Sequence, residues 1–286
     1  MQLLRVPHAH RDEALNSYFA REDEMRINKL RSTLKAGDVA LGTLVWGTHG
    51  RGVIYTLAAA GMDFAMICME HSDYSLATVT EMVAHAHAAG ITPIVRIPDL
   101  QYEWVTRLLD NGCQSLILPH TRSGAEVRRF IDLAKYHPQG RRGMAIYLGA
   151  STNYEDVEPV QAMAHANSNT LLAVLIETRE AVENLEEMLV PGIDLVLVGH
   201  QDLAQSLGVP GAYGHPLVRA ANDKVRELCK ARGIAIAGAV NQPENLQSVI
   251  ESGAQFLLYG TDLVLMRREA QRAADALATY RKGKAS

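Results

Sequence analysis

The sequence predicts a single-domain α/β protein with the architecture of a (β/α)₈ TIM barrel. Three observations support this prediction. Eight short apolar runs alternate with helical patterns, and parallel strands that are buried on both faces have continuous apolar sequences of this kind. The turns that lead from helix to strand repeat one sequence pattern. Polar residues directly follow the apolar runs, as expected at the carboxyl ends of barrel strands, where active sites lie.

The apolar runs are rich in Val, Leu and Ile, and none reaches the length that crosses a membrane. Together they extend over residues 39–260. We predict strands at residues 39–46, 63–69, 92–97, 115–119, 171–176, 195–199, 234–240 and 256–260.

Helical patterns separate these runs and follow the last of them. We predict helices at residues 53–60, 76–89, 102–111, 124–136, 179–189, 216–232, 245–252 and 263–280. An additional amphipathic helix is predicted at residues 11–35, where it would close the floor of the barrel. Residues 140–170 contain no clear strand, and loops of that length are often functional. All of residues 1–286 are assigned to one barrel domain.

A weak internal repeat joins helix to strand. Residues 60–64, 111–115 and 252–256 each place a glycine between the last helical residue and the next apolar run. Glycine adopts the left-handed conformation that ends a helix. Repeated units with one turn chemistry argue against a division into two domains.

Composition excludes several classes of function. The net charge is −4, and nucleic-acid binding would call for a basic face instead. The first residues lack the basic-then-apolar order of a signal peptide. Cys68, Cys113 and Cys229 have no metal-binding spacing. We therefore expect a cytoplasmic protein that binds neither membrane nor nucleic acid.

Glu177 and Asp202 are the most informative pair of residues. Glu177 directly follows the run at 171–176, and Asp202 lies in the turn after the run at 195–199. Two acids at neighbouring strand ends converge on one point, and oxygen ligands with open positions suit Mg²⁺ or Mn²⁺. Alternatively, each acid caps the following helix, since carboxylates are favoured there.

The other predicted strands also end in polar or aromatic side chains, as the rim of an active site requires. These side chains are Trp46, Glu70, His71, Arg96, His120, Asn241 and Asp262. Asp262 precedes a helix and is interpreted as a cap. His71 is expected to face the site as a metal ligand or general base, with an exposed loop histidine as the simpler alternative. A buried Arg96 calls for a carboxylate, either from a substrate or from a protein acid. Asp110 ends a helix, where it is either solvated or orients a histidine across an interface.

The chain resembles a known family. Ordered motifs between residues 30 and 277 are similar to those of the HpcH/HpaI aldolases, metal-dependent class II pyruvate aldolases of the phosphoenolpyruvate/pyruvate barrel superfamily. The motifs are AlaAlaAlaGlyMetAspPhe at 58–64, MetGluHis at 69–71, ValArgIlePro at 95–98, ArgLeuLeuAspAsnGly at 107–112, LysTyrHisProGlnGlyArgArgGly at 135–143, IleGluThrArgGluAlaValGluAsnLeu at 176–185 and AspLeuAlaGlnSerLeuGly at 202–208.

The resemblance implies a role for each site residue. It implies metal ligation by Glu177 and Asp202, with Mg²⁺ or Mn²⁺ as the ion and Co²⁺ as an alternative. It implies that His71 is the catalytic histidine, that Asp110 orients it, and that Arg96 binds the substrate carboxylate. The pocket would be completed by Trp46, His120 and the backbone of Gly199, His200 and Gln201. It also implies a homo-oligomer, expected to be a hexamer, that exchanges its C-terminal helix between subunits.

Three readings of function follow from the resemblance. The first is a lyase that cleaves 4-hydroxy-2-keto acids to pyruvate and an aldehyde through a pyruvate enolate. Cys68, Leu175 and His120 depart from the usual family pattern, and the histidine at 120 is similar to one in macrophomate synthase, a family relative. The second reading is therefore a carbon–carbon synthase that decarboxylates oxaloacetate and uses another acceptor. The third is a non-catalytic barrel with a decayed site. No lysine follows a predicted strand, which disfavours a Schiff-base mechanism.

Overall fold

A computed structural model describes residues 25–146 and 149–284. In that part of the chain, eight parallel strands form a closed barrel, and each strand pairs with its sequence neighbours. The first strand closes the barrel against the last. The strands are β1 Ala40–Val45, β2 Phe64–Cys68, β3 Thr92–Arg96, β4 Ser115–Leu118, β5 Leu171–Ile176, β6 Leu195–Val198, β7 Ala235–Val240 and β8 Phe256–Thr261. The predicted (β/α)₈ barrel is confirmed, and the predicted strands match the observed strands within about two residues at each end.

The helices surround this barrel. They are α1 Lys29–Ala36, α2 Arg51–Ala59, α3 Leu76–Ala89, α4 Tyr102–Asp110, α5 Gly124–Ala134, α6 Pro159–Asn169, α7 Arg179–Glu183, α8 Leu185–Met188, α9 His200–Ser206, α10 Pro216–Arg232, α11 Leu246–Glu251 and α12 Asp262–Gly283. Two 3₁₀ turns, Ala150–Thr152 and Pro243–Asn245, complete the regular structure. None of the helices in the described residues is both long and apolar enough to cross a membrane.

Side chains alternate in direction along each strand, so the strands separate an apolar layer inside the barrel from one outside it. Inside the barrel, Phe64 and Phe256 stack with ring centroids 4.0 Å apart. Leu30 and Leu34 of α1 join this inner cluster, so α1 contributes to the inner core. The outer cluster fills the space between the strands and the surrounding helices.

Helix α1 is shorter than the helix predicted at residues 11–35. The observed helix begins at Lys29, because the side chain of Asn28 accepts a hydrogen bond from the backbone of Arg31 and caps it. Residues 25–28 are not helical. The remainder of the prediction, residues 11–24, lies outside the described residues.

Three further differences concern helices. Residues 140–170, predicted as a loop, contain α6, which begins at a proline and is capped by the Glu158 side chain. The helix predicted at 179–189 is divided at Asn184 into α7 and α8. The turn after β6 continues into the short helix α9. Helices that bury few residues lack the apolar periodicity from which a helix is predicted in the sequence.

The C-terminal helix α12 leaves the barrel after β8. Asp262 is its buried residue, and the rest of the helix is largely exposed. Met266, Leu277 and Tyr280 have exposed fractions of 60%, 47% and 59%.

Candidate active site at the carboxyl end of the barrel

Glu177 occupies the position directly after β5. It is 1% exposed. The helix that follows is capped by Thr178, whose side chain accepts from the backbone of Ala181. Because Thr178 performs the capping, the alternative in which Glu177 caps that helix is wrong. The carboxylate of Glu177 instead points to the neighbouring strand ends.

Three side chains meet at this point. Ligand atoms of Glu70, His120 and Glu177 all lie within 4.8 Å of one another. The His120 ring lies between the two acids, with Nε2 2.9 Å from Glu70 Oε1 and Nδ1 3.4 Å from Glu177 Oε1. The His120 backbone N–H also donates to Glu177 Oε1 over 2.6 Å. His120 has a φ of +49°, a left-handed conformation that is uncommon for residues other than glycine.

Arg96 lies beside this cluster at the end of β3. Its Nη1 atom is 3.0 Å from Glu70 Oε2, while Nε and Nη2 donate to the sulfur of Cys68 over 3.3 and 3.0 Å. The sequence left open whether Arg96 pairs with a substrate or with a protein acid, and within the chain the partner is Glu70. The contact is a charge pair without an aligned hydrogen bond, because Glu70 Oε2 is buried and has no hydrogen-bond donor.

The electrostatics of the site favour a cation. Burial, together with the negative charges of Glu70 and Asp202, raises the pKa of Glu177 to about 7 against the lowering effect of His120. Three carboxylates therefore share a region in which Arg96 is the permanent positive charge. A divalent cation would stabilise the ionised form of such a buried acid, and carboxylate and imidazole donors suit Mg²⁺, Mn²⁺ or Co²⁺.

Asp202 lies in the first turn of α9, partly buried. It affects the ionisation of Glu177, but it is outside the tight cluster formed by Glu70, His120 and Glu177. A carboxylate is also favoured in the first turn of a helix. Its predicted role as a metal ligand stays a prediction.

The lack of a side chain at Gly199 leaves room for the side chain of Glu177. A Cβ atom at Gly199 would lie 2.4 Å from Glu177 Oε2 and 2.7 Å from Glu177 Cβ. The Gly199 N–H donates to Ile176 O over 3.1 Å and is therefore already engaged. The backbone amides of His200 and Gln201 were also predicted to line the pocket. They lie at the start of α9, where helix N–H groups have no intrahelical acceptor. The His200 ring forms a hydrogen bond with the Asn222 side chain, and burial lowers the pKa of His200.

Trp46 and His71 form the rim of the pocket. Their rings meet edge to face with centroids 6.4 Å apart. The Nε1 atom of Trp46 is buried without a hydrogen-bond partner. Asp262 holds the loop that carries Trp46, because it accepts from the backbone of Gly47 over 3.0 Å and of Thr48 over 2.7 Å. Asp262 is therefore structural, but it is not the helix cap that the sequence predicted, because it is the first residue of α12 and the Thr261 side chain caps that helix.

Glu70 was named among the side chains at the strand ends, but the sequence analysis assigned it no role in the site. Strand β2 ends at Cys68, so Glu70 and His71 lie in the loop that follows it. Adjacent residues of a strand point to opposite faces, but adjacent residues of a loop need not. The Glu70 side chain is 7% exposed, whereas that of His71 is 46% exposed and lies 3.7 Å from Glu70. The signal that could have found Glu70 was its adjacency to His71 directly after an apolar run.

Asp110 forms an ion pair within the single chain. Its Oδ1 accepts from Arg142 Nη2 over 2.6 Å, and the Arg142 side chain is 3% exposed. Within one chain, Asp110 therefore pairs with Arg142 at the end of α4. The orientation of His71 by Asp110 across an interface stays a prediction.

The buried lysine of the chain lies far from the site. Lys135 donates to the carbonyls of Asn167 and Thr170, and burial lowers its pKa to about 7. Thr170 precedes β5 and Glu177 follows it, so the length of a six-residue strand, about 20 Å, separates them. This amine is therefore remote from the carboxyl-end pocket.

Comparisons with known proteins agree with this geometry. The model of the HpcH/HpaI aldolase/citrate lyase family matches residues 48–268. An enzyme named 4-hydroxy-2-oxo-heptane-1,7-dioate aldolase from Shigella sonnei is 32% identical over 250 residues, which cover 85% of this chain and 92% of that enzyme. A hydroxypyruvate/pyruvate aldolase from Roseovarius nubinhibens is 29% identical, with 89% of this chain and 97% of that enzyme covered.

Solved structures show the same barrel. An HpcH/HpaI aldolase from Desulfitobacterium hafniense superposes with a TM-score of 0.81 at 28% identity, over 87% of this chain and 96% of that one. Macrophomate synthase, at 22% identity and a TM-score of 0.79, shares the fold. The chain therefore belongs to the HpcH/HpaI aldolase/citrate lyase family and is a carbon–carbon lyase of the class II, metal-dependent type.

Proposed function

We propose that the protein cleaves 4-hydroxy-2-keto acids to pyruvate and an aldehyde, and catalyses the reverse aldol addition. The observation that carries this proposal is the convergence of Glu70, His120 and Glu177 within 4.8 Å beside Arg96. Relatives named as aldolases of a 4-hydroxy-2-oxo dicarboxylate and of pyruvate support the substrate class.

Glu177 and Asp202 would hold a divalent ion, Mg²⁺ or Mn²⁺ with Co²⁺ as an alternative. Glu177 fits this role because its pKa is raised to about 7 by burial, so that a bound cation stabilises its ionised form. When bound there, the ion would supply Lewis-acid chemistry at the 2-keto group of the substrate, where negative charge develops as the C3–C4 bond breaks.

The protein's own residues supply positioning and proton transfer. A guanidinium has five N–H donors; two of those of Arg96 donate to Cys68, and its Nη1 atom forms a charge pair with Glu70. Donors that Cys68 does not engage are available for a substrate carboxylate, at the place where negative charge accumulates. His71, at the rim, would take the proton of the 4-hydroxyl group. Trp46 and His120 would line the pocket.

The assembly is proposed to be a homo-oligomer, a hexamer, that exchanges α12 between subunits. The exposed apolar residues of α12 support this. A cleft of about 910 Å³ beside β7, lined in part by Ile236, Val249 and Leu258, is a surface on which such a helix would fit. The three cysteines are buried and unpaired, which agrees with a reducing cytoplasm as the proposed compartment.

Metal removal tests the proposed function. EDTA-treated protein should be inactive in a panel of 4-hydroxy-2-keto acids, with release of pyruvate as the assay, and should regain activity with Mg²⁺, Mn²⁺ or Co²⁺. Glu177→Gln and Asp202→Asn should prevent this recovery and the binding of Mn²⁺. Glu180→Gln, which changes an exposed acid three residues from Glu177, is the control. Full activity in EDTA would contradict the proposal.

A second candidate function is carbon–carbon bond formation from oxaloacetate with an acceptor other than an aldehyde. The position of His120 between two acids favours it, because the ring faces the pocket rather than the barrel wall. If the protein is an aldolase, His71→Ala should slow aldol cleavage roughly 10²- to 10⁴-fold and spare oxaloacetate decarboxylation, while His120→Ala should mainly weaken substrate binding. If it is a synthase, His120→Ala should spare decarboxylation and stop coupling.

A further inference from the structure

Cys68 has an unusual concentration of hydrogen-bond donors around its sulfur. It is the last residue of β2, has 0% exposure, and is paired in register with Arg96 of β3. The sulfur receives Arg96 Nε over 3.3 Å and Nη2 over 3.0 Å, and also the backbone N–H of His71 over 3.4 Å. Three donors from two residues of the site therefore converge on one buried atom.

We propose that Cys68 is a positioning residue that aims the Arg96 guanidinium at the substrate carboxylate. This inference rests on the proposed function. It follows from the two contacts of Cys68 with one edge of the guanidinium. These contacts determine the plane of the group, and that plane directs the N–H donors that Cys68 leaves free.

The sulfur also connects Arg96 to the loop that carries His71. The amide of His71 and the guanidinium of Arg96 share Cys68 as an acceptor. Loss of the sulfur would leave two guanidinium N–H groups without an acceptor in a site where Arg96 is 9% exposed. Buried donors without acceptors are costly, so Arg96 would turn toward Glu70 or water instead.

The test compares Cys68→Ala and Cys68→Ser with wild type. The readouts are pyruvate binding to Mn²⁺-loaded protein by calorimetry, KM and kcat for cleavage, and the melting temperature. Cys68→Ala should weaken pyruvate binding and raise KM by about tenfold or more, because the guanidinium loses the acceptor that orients it. The value of kcat should change less than about threefold. Cys68→Ser retains an acceptor and should restore binding to within about threefold of wild type.

Cys113→Ser is the matched control. Cys113 is a buried thiol whose S–H donates to Ser115 O and which lies outside the pocket, so its replacement should leave pyruvate binding unchanged. Wild-type pyruvate affinity in Cys68→Ala would overturn the inference and leave the proposed function standing. Failure of wild-type protein to bind pyruvate with any divalent metal would overturn both. Equally weakened pyruvate binding in Cys68→Ala and Cys68→Ser would likewise overturn the inference, because only Cys68→Ser keeps an acceptor for Arg96.

Discussion

His120 donates its backbone N–H to Glu177 Oε1 over 2.6 Å. The loop after β4 is thereby tied to the acid that ends β5, and His120 adopts a left-handed φ of +49° at this point. Unusual backbone conformations persist where the surrounding structure stabilises them, and they concentrate at functional sites. The carboxylate of Glu177 is therefore held in one orientation before any ligand arrives.

Gly199→Ala should impair the site more than the fold. The new Cβ atom would lie 2.4 Å from Glu177 Oε2, so Glu177 must move. We expect Mn²⁺ affinity to fall at least tenfold, and the free energy of unfolding to fall by about 1–3 kcal/mol, the usual cost of overpacking. Calorimetry and denaturant titration measure the two quantities.

Gly52→Ala is the control for this substitution. Gly52 lies in the first turn of α2 and has no atom within 4 Å of an added Cβ. Alanine there should leave Mn²⁺ affinity unchanged and stabilise the helix by about 0.5–1 kcal/mol. Unchanged Mn²⁺ affinity in Gly199→Ala would show that the carboxylate of Glu177 does not depend on this close contact.

The pH dependence of stability should report on Glu177. Burial raises its folded-state pKa from 4.5 to about 7. The folded state therefore binds more protons than the unfolded state between these values, and the contribution of Glu177 to stability is fully present below about pH 4.5 and lost as pH rises through about 7. In EDTA, the melting temperature of wild type should fall relative to Glu177→Gln across this window.

Mn²⁺ supplies an internal check on that profile. Metal binding requires the ionised carboxylate, so Mn²⁺ should raise the melting temperature more at pH 8 than at pH 6. Parallel profiles for wild type and Glu177→Gln in EDTA would contradict the assignment of the shifted pKa to Glu177.

Asp110→Asn should destabilise the protein because it leaves Arg142 buried without its partner. The Arg142 side chain is 3% exposed and that of Asp110 is 21% exposed. We expect a loss of about 1–3 kcal/mol in the free energy of unfolding. The neighbouring pair of Asp132 with Arg141, which is 86% exposed, provides the control. Asp132→Asn should cost less than about 1 kcal/mol.

The same Asp110 variant tests its predicted action on His71. If Asp110 also orients His71 across an interface, kcat in fully folded Asp110→Asn should fall and the acidic limb of its pH profile should shift. If kcat is unchanged, Asp110 acts through Arg142 alone. Equal melting temperatures for Asp110→Asn and wild type would show that the ion pair is not structural.

Substitutions on α12 should disrupt the proposed assembly. Met266 and Leu277 are 60% and 47% exposed in the single chain. Met266→Glu combined with Leu277→Glu should convert an oligomer, expected near six times the 31.3 kDa chain mass, into smaller species in light scattering. Thr279→Glu, on the opposite face of the helix, is the control. A monomeric wild type at micromolar concentration would refute the assembly itself.

Local sequence determined the strands of this protein. Buried parallel strands such as β5 must be continuously apolar, and LeuLeuAlaValLeuIle at 171–176 therefore predicts both bounds of that strand. The position of an acid directly after the strand followed from the same reasoning, so Glu177 was identifiable as a site residue. Helix α6, which buries few side chains, lacked such a signal.

Only the tertiary structure decided which side chains meet. Glu70 and Glu177 are more than a hundred residues apart, and their shared contact with His120 depends on the curvature of the barrel and on the loop conformation after β4. The partner of Asp110 was decided in the same way, by the position that residues 135–146 take against α4. Sequence determines which residues stand at strand ends because burial constrains the strands, whereas the direction of each polar side chain depends on neighbours that only the closed barrel supplies.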